Sequence, residues 1–363
     1  MIGDEASERS RRARQYFESL WSSFERACES GSPANADLKI ARHRWRLRFA
    51  GATLAEMLRP AFAHLETVEG DPPDLLVGLW SASSTGIPVP APEWSPGMTL
   101  THSRLDSFSD DSITMVRDTY FNLLVAVDHS TGRAIYAVDE EVAIPGWERA
   151  APLRFLINEW FANRGIQLTH AACVSRGGRG ALLAGAGGSG KSTTALLCLD
   201  SGMFDYLADD YCLARPGAEP EGYSLFNSAK LHPEDLDRFP RLRPHFRDAI
   251  RNVEGEKPVV FLRDIAPDGV VAECRLDALY LPRVTDHPAT TITPVGRGAS
   301  WHAIAPSTMS QLLGAGPRNL ALIGSIASSL PAFRLDLGSE LDRIPETIAA
   351  HLEEIRSKFP PES

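Results

Sequence analysis

Between residues 6 and 30, apolar side chains recur with helical spacing. Tyr16, Phe17, Leu20, Trp21 and Phe24 share one stripe, while Arg11, Arg12, Arg14, Glu18 and Glu25 lie elsewhere. Gly31-Ser32-Pro33 predicts the end of this helix. From Arg42 the period falls to two: Arg44, Arg46 and Arg48 alternate with Trp45, Leu47 and Phe49, which predicts a half-buried strand with a solvated arginine face. The pattern next predicts a helix over 54–65 and a strand over 74–80. Four prolines exclude regular structure from 86–96. Strands are expected over 113–117, 120–128 and 134–138, then an amphipathic helix over 152–163 carrying Leu153, Leu156, Trp160 and Phe161.

After Gly165 the texture changes to short buried strands, glycine-rich turns and one well-formed helix. The expected organisation is an N-terminal α+β domain over 1–148, with the amphipathic helix leading it. An α/β domain over 149–338 follows, then a C-terminal helix over 339–363 holding Ile348, Leu352 and Ile355. The stretch from Pro233 to Pro258 is charged and poor in apolar residues, and reads as a loop or lid.

Composition narrows the function classes. The 363 residues include 37 Lys and Arg against 47 Asp and Glu, a net charge of −10 that argues against non-specific nucleic-acid binding. Apolar residues make up 43%, which excludes wholesale disorder. No apolar run approaches the roughly 18 residues of a membrane span. Met1-Ile2-Gly3-Asp4-Glu5 leads into arginine-rich helix, so no signal peptide is expected. Cys28, Cys173, Cys198, Cys212 and Cys274 show no CxxC spacing and are odd in number, which suits free thiols in a cytoplasmic protein.

One motif carries chemistry. Gly185-Ala186-Gly187-Gly188-Ser189-Gly190-Lys191-Ser192 satisfies the phosphate-binding pattern G-x-x-x-x-G-K-[ST]. Gly180–Ala184 before it reads as a buried strand and Thr193–Leu199 after it as a helix, the order that such a loop requires. Glycines let backbone N–H groups converge on phosphate oxygens, and the new helix adds the positive end of its dipole. On this reading Gly185 to Thr193 bind a nucleotide, Lys191 reaches the β/γ-phosphates and the Ser192 hydroxyl holds Mg2+. Asp209 and Asp210 stand 18 and 19 residues beyond Lys191, at the end of an apolar strand. Adjacent carboxylates there suit phosphoryl transfer: one can hold Mg2+ while the other accepts the proton of an attacking hydroxyl. The plainer reading of the pair is a solvated strand end. There is no LSGGQ-like element and no Asn-Lys-x-Asp, so a transport ATPase and a Ras-like GTPase are both disfavoured. His170 stands 21 residues before Lys191, and a single histidine, taken by itself, is more often structural than catalytic.

Together, His170-Ala171-Ala172-Cys173, Arg179–Gly185, the phosphate loop and Leu207-Ala208-Asp209-Asp210 resemble the HPr kinase/phosphorylase family. More narrowly they resemble its HPr-kinase-like relatives, some found in biosynthetic clusters for modified peptides such as lasso peptides. The specific match covers about residues 165–215. The resemblance implies an α/β fold of the phosphoenolpyruvate carboxykinase/HPr kinase type, with a mixed sheet behind a small α+β N-terminal domain. It implies His170 as an active-site histidine, Lys191 and Ser192 as nucleotide and Mg2+ residues, and Asp210 as proton acceptor, with Asp209 left for the metal. The family's Glu-Ile-Arg-Gly element has as its nearest counterpart Asn227-Ser228-Ala229-Lys230, so Lys230 stands where an arginine would face phosphate. Lys257 is a weaker candidate. The family's element for phosphorolysis is reduced to Pro294-Val295-Gly296-Arg297-Gly298.

The expectation is an ATP- and Mg2+-dependent kinase that phosphorylates a hydroxyl, of serine by the resemblance, on a peptide or protein acceptor. It binds neither nucleic acid nor membrane, and homo-oligomers are expected by analogy. Two rivals stand beside it: a kinase of a small molecule such as free serine, and a regulatory module that senses ATP without transferring phosphate.

Overall fold

Residues 2–93, 100, 101, 104–230, 232–245, 258–312 and 315–358 are described in the computed structural model. Lys257, the weaker of the two candidate lysines, lies outside them. The chain divides into two units, one running to Trp160 and the other starting at Phe161, so the division falls within the helix Arg154–Ala162.

In the first unit the amphipathic stripe does what its spacing requires. The helix Ile2–Ser30 buries Tyr16, Phe17, Leu20 and Phe24 against Trp80, Met115, Leu124, Ile135 and Ala137 of a sheet. That sheet has eight strands: β1 (Ala34–Ile40), β2 (His43–Phe49), β3 (Leu75–Ser81), β4 (Leu100–Thr101), β5 (Arg104–Leu105), β6 (Ile113–Asp118), β7 (Leu123–Asp128) and β8 (Arg133–Val138). Their order is β1-β2-β3-β8-β7-β6-β5-β4, with β2–β3 and β3–β8 parallel. The helix expected over 54–65 is split: Ala52–Leu58 is α-helical, and Arg59–Leu65 tightens to a 3-10 turn because Pro60 has no N–H for the α-helical ladder. The arginine face of β2 is neutralised within the unit: Arg48 pairs with Glu25, Arg46 with Asp37 and Glu69, and Arg44 with Asp71.

The second unit is a mixed α/β structure. It holds β9 (Gln167–Thr169), β10 (Ala171–Arg176), β11 (Arg179–Ala184), β12 (Asp205–Ala208), β13 (Cys212–Arg215), β14 (Glu221–Tyr223), β15 (Ser228–Lys230), β16 (Val259–Phe261), β17 (Glu273–Val284), β18 (Thr291–Val295) and β19 (Ala332–Leu337). The main sheet runs β12-β10-β11-β17-β14-β13-β9, with β19 on β17 and β18 on β19. β11–β17 and β17–β19 are parallel, and the other pairs are antiparallel. One face packs on the helices Lys191–Asp200 and Arg343–Lys358 through Leu196, Leu199, Tyr280, Ile348 and Leu352. The other packs on the helices Arg297–Gln311 and Pro317–Ser329 through Leu182, Leu279, Ile304, Ile323 and Ile326.

The helix Arg343–Lys358 belongs to this unit's core, and Arg356 pins it. Arg356 and Arg179 both bond the carboxylate of Asp277, the extra residue of a bulge in β17 where β11 passes from Gly180 to Ala181. The described part of the stretch expected to be a loop or lid is anchored: Phe239 and Leu242 are buried, and the Leu242 N–H donates to Asp200 Oδ1 at 2.7 Å. All five cysteines are buried free thiols. No described helix is long and apolar enough to cross a membrane.

Candidate active site

Strand direction brings three sequence-distant segments to one edge. β10 is antiparallel to both β11 and β12, with Ala171 opposite Ala184 and Cys173 opposite Ala208. The chain therefore enters β10 from His170 at the edge where it leaves β11 into Gly185 and leaves β12 into Asp209. The structure thus gathers His170, the phosphate loop and both aspartates, which in sequence span 41 positions.

The loop has the backbone its glycines permit. Gly188 and Gly190 take φ of 78° and 101°, a region that costs any side-chain-bearing residue strain. A Cβ at Gly190 would also strike Leu337 at 2.4 Å, so the loop seats against the end of β19. Ala186, Gly187 and Gly188 face solvent, and a Cβ built on Gly187 or Gly188 meets nothing within 4 Å, which leaves an open cradle in front of the backbone. Lys191 opens the helix Lys191–Asp200, whose first-turn N–H groups face the loop. It does not stand out on the loop surface. Its side chain is buried, and Nζ donates to the Gly185 carbonyl at 2.8 Å and the Ala186 carbonyl at 3.1 Å. Burial pulls its pKa below the ordinary lysine value, partly offset by the charges of Asp210 and Asp209.

The two aspartates have different surroundings. Asp209 is buried, and burial together with the charge of Asp210 pushes its carboxyl upward. The Ser192 side chain, the Lys230 charge and the Lys230 backbone N–H oppose that rise in part. Asp210 is more open, and Lys230 Nζ donates to its Oδ2 at 2.8 Å. His170 Nε2 lies 3.8 Å from its Oδ1. Burial would raise Asp210 as well, but His170 and Lys230 outweigh it and hold the carboxyl well below the usual range. Lys230 in turn is raised: its burial is outweighed by Asp210. Lys230, expected to face phosphate, is thus bonded to the carboxylate beside it.

The residues present fit Mg2+. Asp209 Oδ1 is buried with no hydrogen-bond partner, and the Ser192 side chain lies near enough to the same carboxyl group to favour its ionised form. Mg2+ usually takes one or two protein carboxylates and fills its remaining positions with water and substrate phosphates, so two protein ligands suffice. Ser189 Oγ and His170 Nδ1 are likewise buried without partners, which leaves further polar atoms at this edge to be satisfied by a ligand or water.

No family model matches the chain, and no curated protein matches it by sequence. Among solved structures it is similar to the Hpr(Ser) kinase/phosphatase from Coxiella burnetii. The two are 12% identical, the match spans 53% of this chain and 98% of that one, and the TM-score is 0.29. So loose a likeness carries no argument about chemistry, and the site is read from its own geometry.

Three residues at this edge were not among the candidates the sequence offered. Tyr211, next to Asp210, places its ring 5.6 Å from the His170 ring and donates its O–H to Gln311 Oε1. Thr308 Oγ1 accepts the His170 backbone N–H at 3.0 Å. Tyr211 could have been noticed from its place after the acidic pair. Thr308 and Gln311 belong to an unremarkable helix 100 or more residues further along the chain.

Proposed function

We propose that this chain is an ATP- and Mg2+-dependent phosphotransferase that moves the γ-phosphate to a hydroxyl, that of a serine, on a peptide or protein acceptor. The observation that carries the reading is the pairing of roles at one edge. A glycine cradle ends in a buried lysine, one buried aspartate lies beside the loop's serine, and a second aspartate is flanked by Lys230 and His170. An ATP-sensing module requires the first two features. It gives no reason for the third, a partly open carboxylate oriented by Lys230 and His170 beside the cradle, which suits a group positioned to accept a proton.

In the proposed reaction, backbone amides of 186–191 hold the phosphates and Lys191 turns from the loop carbonyls towards the β/γ-oxygens. Ser192 and Asp209 would hold Mg2+, which neutralises charge on the phosphates. Asp210 accepts the proton as the hydroxyl oxygen attacks phosphorus. His170 stands beside it to orient the acceptor or to balance charge as the bond to the leaving ADP oxygen breaks. Serine as acceptor is supported by the resemblance of the quoted motifs to HPr kinases, and a small molecule such as free serine remains the rival acceptor.

The test is phosphate transfer from radiolabelled ATP with Mg2+, offered in parallel to a serine-containing peptide library, the same library with alanine for serine, and free serine. Label on the serine peptides alone is the expected result. Label on free serine assigns the small-molecule rival, and ATP binding without any transfer assigns the sensing module.

A further inference from the structure

His170 occupies a strand switch. Thr169 pairs with Cys212 in β13, while Ala171 pairs with Ala184 in β11, so the residue between them belongs to neither ladder and its amide requires another acceptor. Thr308 Oγ1 supplies it at 3.0 Å, from a position 138 residues later in the chain. Across the same switch stands Tyr211, one residue before β13, with its ring against that of His170. Its buried hydroxyl donates to Gln311. Thr308 and Gln311 are three residues apart in the last turn of the helix Arg297–Gln311, and therefore project from one face. One helical turn thus fixes the residue that faces Asp210 and the residue that directly follows it.

We infer that this turn is a positioning element of the site: Thr308 sets the backbone from which His170 addresses Asp210, and Gln311 sets the Tyr211 ring that backs it. The inference rests on the phosphotransferase reading above for its consequence on rate, but its geometry does not depend on that reading. Positioning of a group beside the reacting atoms affects the transfer step more than nucleotide binding, since a misplacement of about 1 Å can cost up to about 10²-fold in rate.

The experiment uses the full chain with Thr308→Val, which has no hydroxyl, and Thr308→Ser, which keeps one. Three quantities are measured for each: transfer rate to the serine peptide library, affinity for a fluorescent ATP analogue, and the ring resonances of His170 in 15N-histidine-labelled protein, assigned by their loss in His170→Gln. Thr308→Val should lower the rate by about 10- to 100-fold, leave nucleotide affinity within about threefold, and shift or broaden the His170 ring signals. Thr308→Ser should restore both rate and signals. The inference is overturned if Thr308→Val changes neither, or if nucleotide affinity falls in step with the rate, which marks a general support of the unit. If the wild-type chain binds ATP and transfers nothing, the phosphotransferase reading fails on its own. The ring signals then decide the positioning claim: moved by Val and restored by Ser sustains it, and unmoved overturns it. Should Thr308→Val fail to fold, Gln311→Leu at the exposed end of the helix gives the same three readouts.

Discussion

Lys230 donates a 2.8 Å hydrogen bond to Asp210 from the end of β15, and Asp210 has His170 on its other side. A lysine held there serves the carboxylate before it serves a phosphate. Lys230→Met should therefore lower transfer by about 10- to 100-fold, part of the contribution a positioned base makes, with nucleotide affinity kept within about threefold. Titration of a fluorescent ATP analogue beside the transfer assay checks this. A matching loss of affinity would place Lys230 on the phosphates instead.

The two carboxylates should separate on Mg2+. Asp210→Asn keeps the size of the side chain but cannot take the proton, so transfer should fall by about 10²–10⁴ at unchanged nucleotide affinity. If Asp209 holds Mg2+ as proposed, the defect of Asp209→Asn should be relieved in part at high Mg2+. Rate against Mg2+ concentration for both variants is the measurement, and equal, Mg2+-insensitive losses would refute the division of labour.

Lys191→Met should abolish transfer and weaken ATP binding by at least about tenfold, the loss of one charge-assisted contact to phosphate. Its aliphatic stem is buried, so methionine keeps the packing that alanine would remove, and the thermal midpoint should stay near that of the wild type. Isothermal titration with ATP and a thermal melt suffice. Normal turnover in this variant would refute the phosphate-loop assignment.

Asp277 is a stability residue. Its carboxylate is buried between Arg179 at 2.6 Å and Arg356 at 2.9 Å, and removing one partner of a buried ionic cluster costs about 3–5 kcal/mol. Asp277→Ala should lower the urea midpoint of the second unit's unfolding without altering nucleotide affinity measured in the absence of urea.

His351 gives a pH dependence. Burial, ahead of the Lys358 charge, lowers its pKa below the ordinary 6.5, and its Nδ1 lies 2.8 Å from the Tyr280 hydroxyl. The unfolded chain therefore binds the proton first as pH falls. The stability tied to neutral His351 is complete above the unfolded value and is lost as pH drops through the folded one. Urea midpoints between about pH 7.5 and 5.5 should fall in the wild type and less in His351→Gln.

What was legible in the sequence was local. Gly185–Ser192 announces itself because strand, glycine turn and helix are contiguous, and Tyr16, Phe17, Leu20 and Phe24 do so because one helix carries them all. Pro60 turned part of a helix into a 3-10 turn, a boundary that apolar spacing alone cannot set. The burial of Lys191 and the bond from Lys230 to Asp210 depend on how loops close on one another, which no spacing rule encodes. Thr308 is the extreme case: its partner is a backbone amide, which has no sequence identity to match.

The span between His170 and Thr308 also has a temporal meaning. During synthesis the phosphate loop, both aspartates and Lys230 emerge well before the helix turn that anchors His170. A nascent or truncated chain ending before Thr308 lacks that anchor, and it lacks as well Leu337, against which the loop seats, and the helix Arg343–Lys358 of the unit's core. The edge that gathers His170, the loop and the two aspartates is therefore complete only when the chain has been made past Leu337.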